Sequence, residues 1–249
     1  MKTEWDYTEL AEAYLKRPDY SDSAIDKMLE LAGLQAGSPV CDVGAGVAHL
    51  TLKLAARKMK VDAVEPNDAM RALGIKRTEA FGNVDWFEGT GEATGRPSNA
   101  FSMVTFGSSF NVTDRSRALQ ETKRLLQPRG WFAAMWNHRD LEDPIQKNIE
   151  EIIQSTIPDY GYGTRREDQT EIINVSGLFG KVYYIEGDVV HRQTLPEVVE
   201  AWRSHATLHR QAGDKFYGII DDIEKMLIAS GRQEITIPYT TRIWTAQLI

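Results

Sequence analysis

Cysteine is almost absent. Cys41 is the one cysteine among 249 residues, so no disulfide can form within the chain, and a reducing compartment is the simple expectation. No apolar run approaches the length of a membrane span. The N-terminal stretch Met1 to Leu10 carries Lys2, Glu4, Asp6 and Glu9, which is not the pattern of a secretory leader; a cytoplasmic protein with no membrane partner is expected. Positive charge is not in excess either: 29 Lys+Arg against 36 Asp+Glu leave a formal net charge of -7. Phosphate backbones are normally met by a basic face, so nucleic acid is not an expected partner, although a local basic patch can hide inside an acidic total. Metal-ligand spacing is lacking too. His205 and His209 stand four apart in a predicted helix and would share a face, but no Glu-x-x-His or Cys accompanies them, so no metal is expected. Internal repeats, low-complexity tracts and Pro/Ser linkers are missing. The length and 42% hydrophobic content suit one α/β domain, or such a core with an insertion.

The informative stretch runs from Pro39 to Thr51. Pro39-Val40-Cys41-Asp42-Val43 is a short apolar run, Gly44-Ala45-Gly46 a tight turn, and Leu50, Leu52, Leu54 and Ala55 the start of a helix. Strand, glycine turn and helix open a nucleotide-binding α/β unit. The glycines permit positive φ and a close approach to the main chain, and the helix start presents unpaired N–H groups. A second apolar run (Val61, Ala63, Val64) ends at Glu65, placed to accept hydrogen bonds from both hydroxyls of a ribose. Cys41 falls in the first predicted strand, where a buried inert thiol is expected.

Asp42-Val43-Gly44-Ala45-Gly46, with Glu65-Pro66-Asn67-Asp68-Ala69-Met70, resembles motif I and the acidic motif of the class I S-adenosylmethionine (SAM) methyltransferases. The family's D-V-G-x-G-x-G has Ala48 at its third glycine here. A dinucleotide dehydrogenase would want G-x-G-x-x-G, and His49 stands at that last position. The resemblance implies an α/β fold: a Rossmann-like, mostly parallel sheet of seven strands with an antiparallel C-terminal hairpin, and a helical cap inserted over the active site. It implies SAM as cofactor and S-adenosylhomocysteine as product. Glu65 is then expected to hold the ribose, and the Gly44-Ala45-Gly46 turn the methionyl and ribose region. Asp42 acts through its turn, Pro66 is expected at the cofactor, and Met70 and Asn67 are expected to flank the adenine ring. The family's G-D-A-E after the third strand becomes Gly89-Thr90-Gly91-Glu92, making Thr90, Gly91 and Glu92 the candidates for the adenine amino group.

Further stretches extend the resemblance over Tyr7 to Asn137. A helix over Tyr7 to Lys16 and Arg17-Pro18-Asp19-Tyr20 match the family's lid and R-P-x-Y segment. Arg17 is either a partner of the methionine carboxylate or a solvated arginine at a helix end. Ser21 and Ser23 are expected helix N-caps. Phe101 to Phe106 is the fourth strand, with Phe106 near the cofactor, and Trp131 to Asn137 the fifth. Pro144 to Ile157, Pro196 to His209 and Lys215 to Ser230 read as helices, and Val182 to Val190 and Ile235 to Leu248 as strands. The domain expectation is a SAM-binding core with lid helices over 1–138, a substrate-cap insertion over 139–180, and the rest of the sheet with further cap helices over 181–249.

SAM carries an activated methyl group, so no universal catalytic residue is expected. His138, His209 and Asn111 are the catalytic candidates, with a surface or hydrogen-bonded core role as the alternative for each histidine. Asn111 stands where relatives often show a histidine, and Asn orients an acceptor without taking its proton. Tyr20, Trp136, Tyr160, Tyr162 and Trp202 wall a flat acceptor pocket or are plain core. The expected function is methylation of a hydroxyl or nitrogen, less readily a carbon, on a small-molecule acceptor of secondary metabolism, by a monomer or homodimer. The alternatives are a non-catalytic SAM-binding regulator or partner subunit, and a nicotinamide-dependent dehydrogenase. Thr105-Phe106-Gly107-Ser108 lacks the Asn/Asp-Pro-Pro-Tyr/Phe motif of nucleic-acid amino-methylases.

Overall fold

The computed structural model describes residues 8–249. Its strands are β1 (Pro39–Val43), β2 (Lys60–Val64), β3 (Val84–Phe87), β4 (Phe101–Gly107), β5 (Leu126–Arg139), β6 (Phe179–Thr194) and β7 (Glu234–Leu248). They form one seven-stranded sheet in the order β3-β2-β1-β4-β5-β7-β6. The first five run parallel to one another, and β7 is antiparallel to both β5 and β6. From β1 the chain steps outward to β2 and β3, then returns to lay β4 on the other side of β1. The carboxyl ends of β1 and β4 therefore flank the switch point where such sheets open a crevice. Asp42 of β1 pairs with Ala63 and Thr105, which brings the ends of three strands level at that crevice.

The helices are α1 (Ala11–Tyr14), α2 (Asp22–Leu31), α3 (His49–Ala56), α4 (Asp68–Thr78), α5 (Arg115–Leu125), α6 (Pro144–Thr156), α7 (Thr170–Val175), α8 (Leu195–Arg203), α9 (Ala206–Ala212) and α10 (Phe216–Ala229). Side chains alternate across a strand, so β1 feeds two cores. Val40 joins Ile25, Met28, Leu50 and Leu54 on the face covered by α2 and α3. Cys41 and Val43 face the other side, with Leu119 and Leu125 of α5, Ile173 of α7, Phe132 and Trp244. Burying each such side chain stabilises by about 1.5–3 kcal/mol. Burial pushes the Cys41 thiol well up, which leaves it unreactive.

A further core lies beyond the sheet. The β6–β7 ribbon continues past β5 to Thr194 opposite Glu234. Ile235, Ile237 and Tyr239 of that extension pack with Ile149 of α6, Trp202 of α8, Leu208 of α9 and Phe216 of α10. This is the helical cap. Asp143 caps α6 by accepting from the Ile145 and Gln146 N–H groups, and Pro144 fits the first turn. Glu197 accepts from the Thr194 N–H and hydroxyl at 3.0 Å each, fixing the start of α8. The stretch 139–180 divides between the two bodies: α6 packs in the cap, whereas Ile173 of α7 packs under the sheet.

Three local expectations change. The N-terminal helix reduces to a 3-10 turn, Thr8–Leu10, and the short α1; Tyr7 lies outside the described residues. Ser21 takes the N-cap position of α2, but its Oγ meets Ser23 Oγ and its N–H donates to Thr241 Oγ1 at 2.8 Å, so it ties the helix to β7. The helix expected over Pro196 to His209 breaks between α8 and α9. His205 N-caps α9, its Nδ1 accepting from the Leu208 N–H at 3.2 Å, so His205 and His209 do not share one helical face. Among the described residues no helix is long and apolar enough to cross a membrane.

Candidate active site

At the end of β1 the backbone turns left-handed at alternate positions: Gly44 at φ +67°, Gly46 at +56° and Ala48 at +74°. Ala48 thus adopts the conformation a glycine would take at no cost; for an L-residue the strain is about 1–2 kcal/mol. Gly44 is required for a second reason. A Cβ there would lie 2.4 Å from Ser109 Cβ, because Ser109 reaches across from β4 to donate its hydroxyl to the Val43 carbonyl at 2.5 Å. Gly46 faces open space instead. Below the turn, the buried Asp42 carboxylate accepts from the Thr51 hydroxyl at 2.7 Å and the Thr105 hydroxyl at 2.9 Å. Burial outweighs these bonds and pushes its pKa up to about 6.

Glu65 closes the turn from β2. Its Oε2 accepts from the Gly46 N–H and its Oε1 from the Asn67 N–H, both at 2.9 Å. Burial raises its pKa, and the two backbone N–H groups oppose that rise. Asn67 caps α4 by accepting from the Met70 N–H at 3.0 Å, while Arg71 donates to the Glu65 carbonyl. After β3, Thr90 and Ala93 bridge a small turn carrying Gly91 and Glu92. Glu92 accepts from the Asp114 N–H at 2.7 Å, tying this turn to the start of α5.

The lid crosses these strand ends. Tyr20 is buried with its hydroxyl 2.9 Å from Ser108 Oγ, and burial raises its pKa so that it stays a neutral phenol. His49 turns its Nδ1 to Asp19 and its Nε2 to the Tyr14 carbonyl, at 2.9 Å each, and holds Asp19 below the usual carboxylate range. Arg17 stacks on Tyr14 and donates to the Ser204 carbonyl of the cap at 2.8 Å. Asn137, at the end of β5, donates to the Pro18 and Asp19 carbonyls.

Sheet, lid and cap enclose a cavity of about 950 Å³. On the cap side Asn111 Oδ1 accepts from Trp136 Nε1 at 2.8 Å. His138 Nδ1 accepts from Arg242 and its Nε2–H donates to the Arg165 carbonyl. Burial, then the charges of Arg166, Arg242 and Arg165, push the His138 pKa down to about 4. Its ring is neutral at pH 7 with both nitrogens engaged. Arg139, Arg165 and Arg166 complete this wall. No cluster of His, Cys, Asp or Glu among the described residues could hold a metal ion.

Residues 40–130 match a family described as a methyltransferase domain. An uncharacterised methyltransferase of Mycobacterium bovis is 33% identical over 137 residues, covering 55% of this chain and 54% of that protein. The matched segment carries the glycine turn and Glu65, so this part of the chain is similar to a methyltransferase domain. A ubiquinone/menaquinone biosynthesis C-methyltransferase of Escherichia coli is 26% identical over 140 residues, 53% of this chain and 56% of that protein. The chain spans about half the length of the curated relatives it matches. Among solved structures, one from Anaeromyxobacter dehalogenans described as a type II methyltransferase has a TM-score of 0.60 at 17% identity, covering 93% of this chain and 97% of that one. The [4+2]-cyclase SpnF has a TM-score of 0.56 at 16% identity, covering 91% and 80%. At such identities the likeness is one of fold alone, and the fold does not fix the reaction.

Against the family pattern, Asp42, Gly44, Ala45, Gly46, Glu65 and Pro66 all line the cavity. So do Met70, Thr90, Gly91, Glu92, Arg17 and Tyr20, together with Asn111, Trp136 and His138. Five expected site residues do not, the first being Asn67, whose side chain caps α4. Phe106 points into the core beneath the sheet, 5.4 Å from Phe110 and 5.8 Å from Phe132 between ring centroids. His209 packs on Phe216 within the cap. Tyr160 and Trp202 are buried in the cap core, Trp202 stacked on His205 at 5.0 Å. The base role expected of His138 also meets an obstacle, since Arg242 already occupies the lone pair that would take a proton. Asn137, Ser108, Asp114 and the three cap-side arginines also line the cavity and were not among the sequence candidates. The signal for two of them was the adjacent cations Arg165-Arg166 after a Gly/Tyr-rich loop.

Proposed function

We propose that this chain binds SAM and transfers its methyl group to a hydroxyl or nitrogen of a small molecule in secondary metabolism. The observation that carries the reading is continuity: one cavity joins the left-handed glycine turn and Glu65 to a chamber walled by the cap. Its volume of about 950 Å³ falls within the roughly 300–1,000 Å³ of small-molecule sites. The residues fit the cofactor. A carboxylate has about four acceptor positions, and backbone N–H groups fill one on each Glu65 oxygen, which leaves capacity for a ribose diol. Gly46 presents open backbone, and Thr90 to Glu92 stand where an adenine amino group needs acceptors. The acidic lining also suits a sulfonium cation.

Bound SAM supplies an activated methyl group. The protein's part is to orient the acceptor, which can remove about 7–11 kcal/mol of the barrier, and to exclude water. Tyr20, His49 and Arg17 hold the lid down for the second task. Asn111, fixed by Trp136, and Asn137, fixed by the Thr241 hydroxyl, are rigid polar groups for the first. An amine acceptor needs little more than this.

Calorimetric titration with S-adenosylhomocysteine, with NAD as control, tests the cofactor: micromolar or tighter binding to the former alone is expected. Binding of NAD and not of S-adenosylhomocysteine overturns the reading. The engaged ring of His138 favours one second reading, a SAM-binding regulator or partner subunit without turnover. Release of S-adenosylhomocysteine on screening small acceptors with SAM separates the two.

A further inference from the structure

The cavity is sorted by charge. Its acidic side chains, Asp42, Glu65, Glu92 and Asp114, stand at the ends of β1 to β3 and the start of α5, where the cofactor is proposed to lie. Arg139, Arg165 and Arg166 stand on the cap side, where β5 ends and the segment after α6 returns over the cavity.

These arginines differ from several others in the chain. Arg57, Arg71, Arg96, Arg124 and Arg242 each pair with a carboxylate. Among the described residues Arg139, Arg165 and Arg166 pair with none. Each guanidinium offers five N–H donors in a planar fork. Arg139 gives Nε to the Tyr239 hydroxyl, Arg166 gives Nη2 to the Arg139 carbonyl, and Arg165 sets Nη2 against His205 Nε2. The remaining nitrogens have no protein acceptor among the described residues. Glu150 is the acid that all three feel, but it sits behind them, takes the Tyr162 hydroxyl, and is itself raised in pKa by burial. Tyr162 and Trp202 lie under the guanidinium planes and hold them: Arg166 and Arg165 stand 4.6 and 5.0 Å from the Tyr162 centroid, Arg139 4.1 Å from that of Trp202. Burial and mutual repulsion push Arg165 down to about 10, and burial, with the same arginine charges behind it, depresses His138 and His205. Three cations are thus held together at one wall with most of their donors unspent. An anion is the ligand this arrangement lacks.

We propose that the methyl acceptor carries an anionic group, a carboxylate or a phosphate ester, that docks on Arg139, Arg165 and Arg166. This rests on the reading of the site as a methyl-transfer site and names the class of its substrate. The acceptor's charged end is anchored at the cap, and the atom to be methylated extends from it toward Asn111 and the glycine turn. Bidentate donation from a guanidinium fits both oxyanions, so the chemistry is shared and the probes must separate them.

The test is calorimetry on the full chain loaded with S-adenosylhomocysteine, using inorganic phosphate, succinate and neutral succinamide as probes at low ionic strength. Saturable binding of phosphate or succinate, and not of succinamide, is expected, and whichever anion binds tighter identifies the oxyanion. Arg166→Gln and Arg165→Gln should each weaken it by about tenfold or more, the loss of a charge-assisted partner. Arg165→Lys, which keeps the charge, should retain part of the binding if Arg165→Gln fails to fold. No saturable anion binding, or binding indifferent to these variants, overturns the proposal. It is also overturned if the variants lose S-adenosylhomocysteine but keep methylthioadenosine, because the arginines then serve the cofactor's own carboxylate. Failure of the underlying reading looks different: S-adenosylhomocysteine does not bind the unsubstituted protein, whereas the anions still do.

Discussion

Glu65 holds Gly46 by a 2.9 Å hydrogen bond in which the buried carboxylate accepts the N–H of the glycine turn. The same side chain accepts from Asn67, so one residue fixes the turn after β1 and the start of α4 together. Removing an acceptor of this kind costs about 1.5–3 kcal/mol. Glu65→Ala is therefore expected to weaken S-adenosylhomocysteine binding by about tenfold to a hundredfold while circular dichroism keeps its native shape. Unchanged affinity in calorimetry would remove Glu65 from the cofactor site.

Gly44→Ala meets two obstacles, a left-handed backbone and the Ser109 side chain 2.4 Å away. The first costs about 1–2 kcal/mol, and overpacking adds about 1–3 kcal/mol. The variant is expected to lower the melting temperature and S-adenosylhomocysteine affinity together. Gly44→Ala with Ser109→Gly should recover part of both, since the clash is relieved and the backbone strain stays. Equal melting temperatures for the single and double variants would show that the contact is not made in solution.

Asp42 gives a pH-dependent signal. Its folded pKa, about 6, lies above the model-peptide value of 3.8, so the folded state binds this proton more tightly than the unfolded one. Its contribution to stability is then fully present below 3.8, and is lost as the pH rises toward about 6. Above that a cost on the order of 1–3 kcal/mol persists, at about 1.4 kcal/mol per unit. Asp42→Asn should be more stable than the parent, ligand-free, at neutral pH, with the difference shrinking on acidification. Thermal melts of both proteins across this range check it; a constant difference would contradict the assignment.

His138 has the opposite sign. Its pKa falls from 6.5 to about 4, so its contribution is present above 6.5 and is lost as the pH drops toward 4. Nitrogen NMR of the labelled imidazole should show the neutral Nε2–H tautomer at neutral pH and an inflection near 4. An ordinary histidine inflection would mean that Arg242 and the Arg165 carbonyl do not hold the ring.

The cofactor half was legible because its determinants are contiguous. Pro39 to Thr51 is strand, turn and helix in one run, and Glu65 follows at the end of the next strand. Even the substitution at Ala48 reports a left-handed position rather than a lost one. The acceptor half draws on β5, the segment after α6, α8 and β7, and no local pattern says which side chains face inward. Trp202 and Tyr160 are large and aromatic, which marks them as buried without saying against what. They fill the cap core, while the polar Asn137 takes the wall. Phe106 failed for a simpler reason: strand alternation sends it beneath the sheet, whereas Gly107 and Ser108 carry the chain to the crevice. His205 was misassigned through a helix break at Ser204 that propensity does not signal.

The cap's apolar core shares only the outer part of the β6–β7 ribbon with the sheet, through Ile235, Ile237, Tyr239 and Val189. Substitutions more than about 7–10 Å apart with no common partner act additively on stability. On the function proposed above, changes among Ile149, Leu208 and Phe216, which pack within the cap, act on the acceptor chamber rather than on the glycine turn. On that same proposal, a lineage carrying this chain can exchange its acceptor through the cap while the glycine turn after β1 stays as it is.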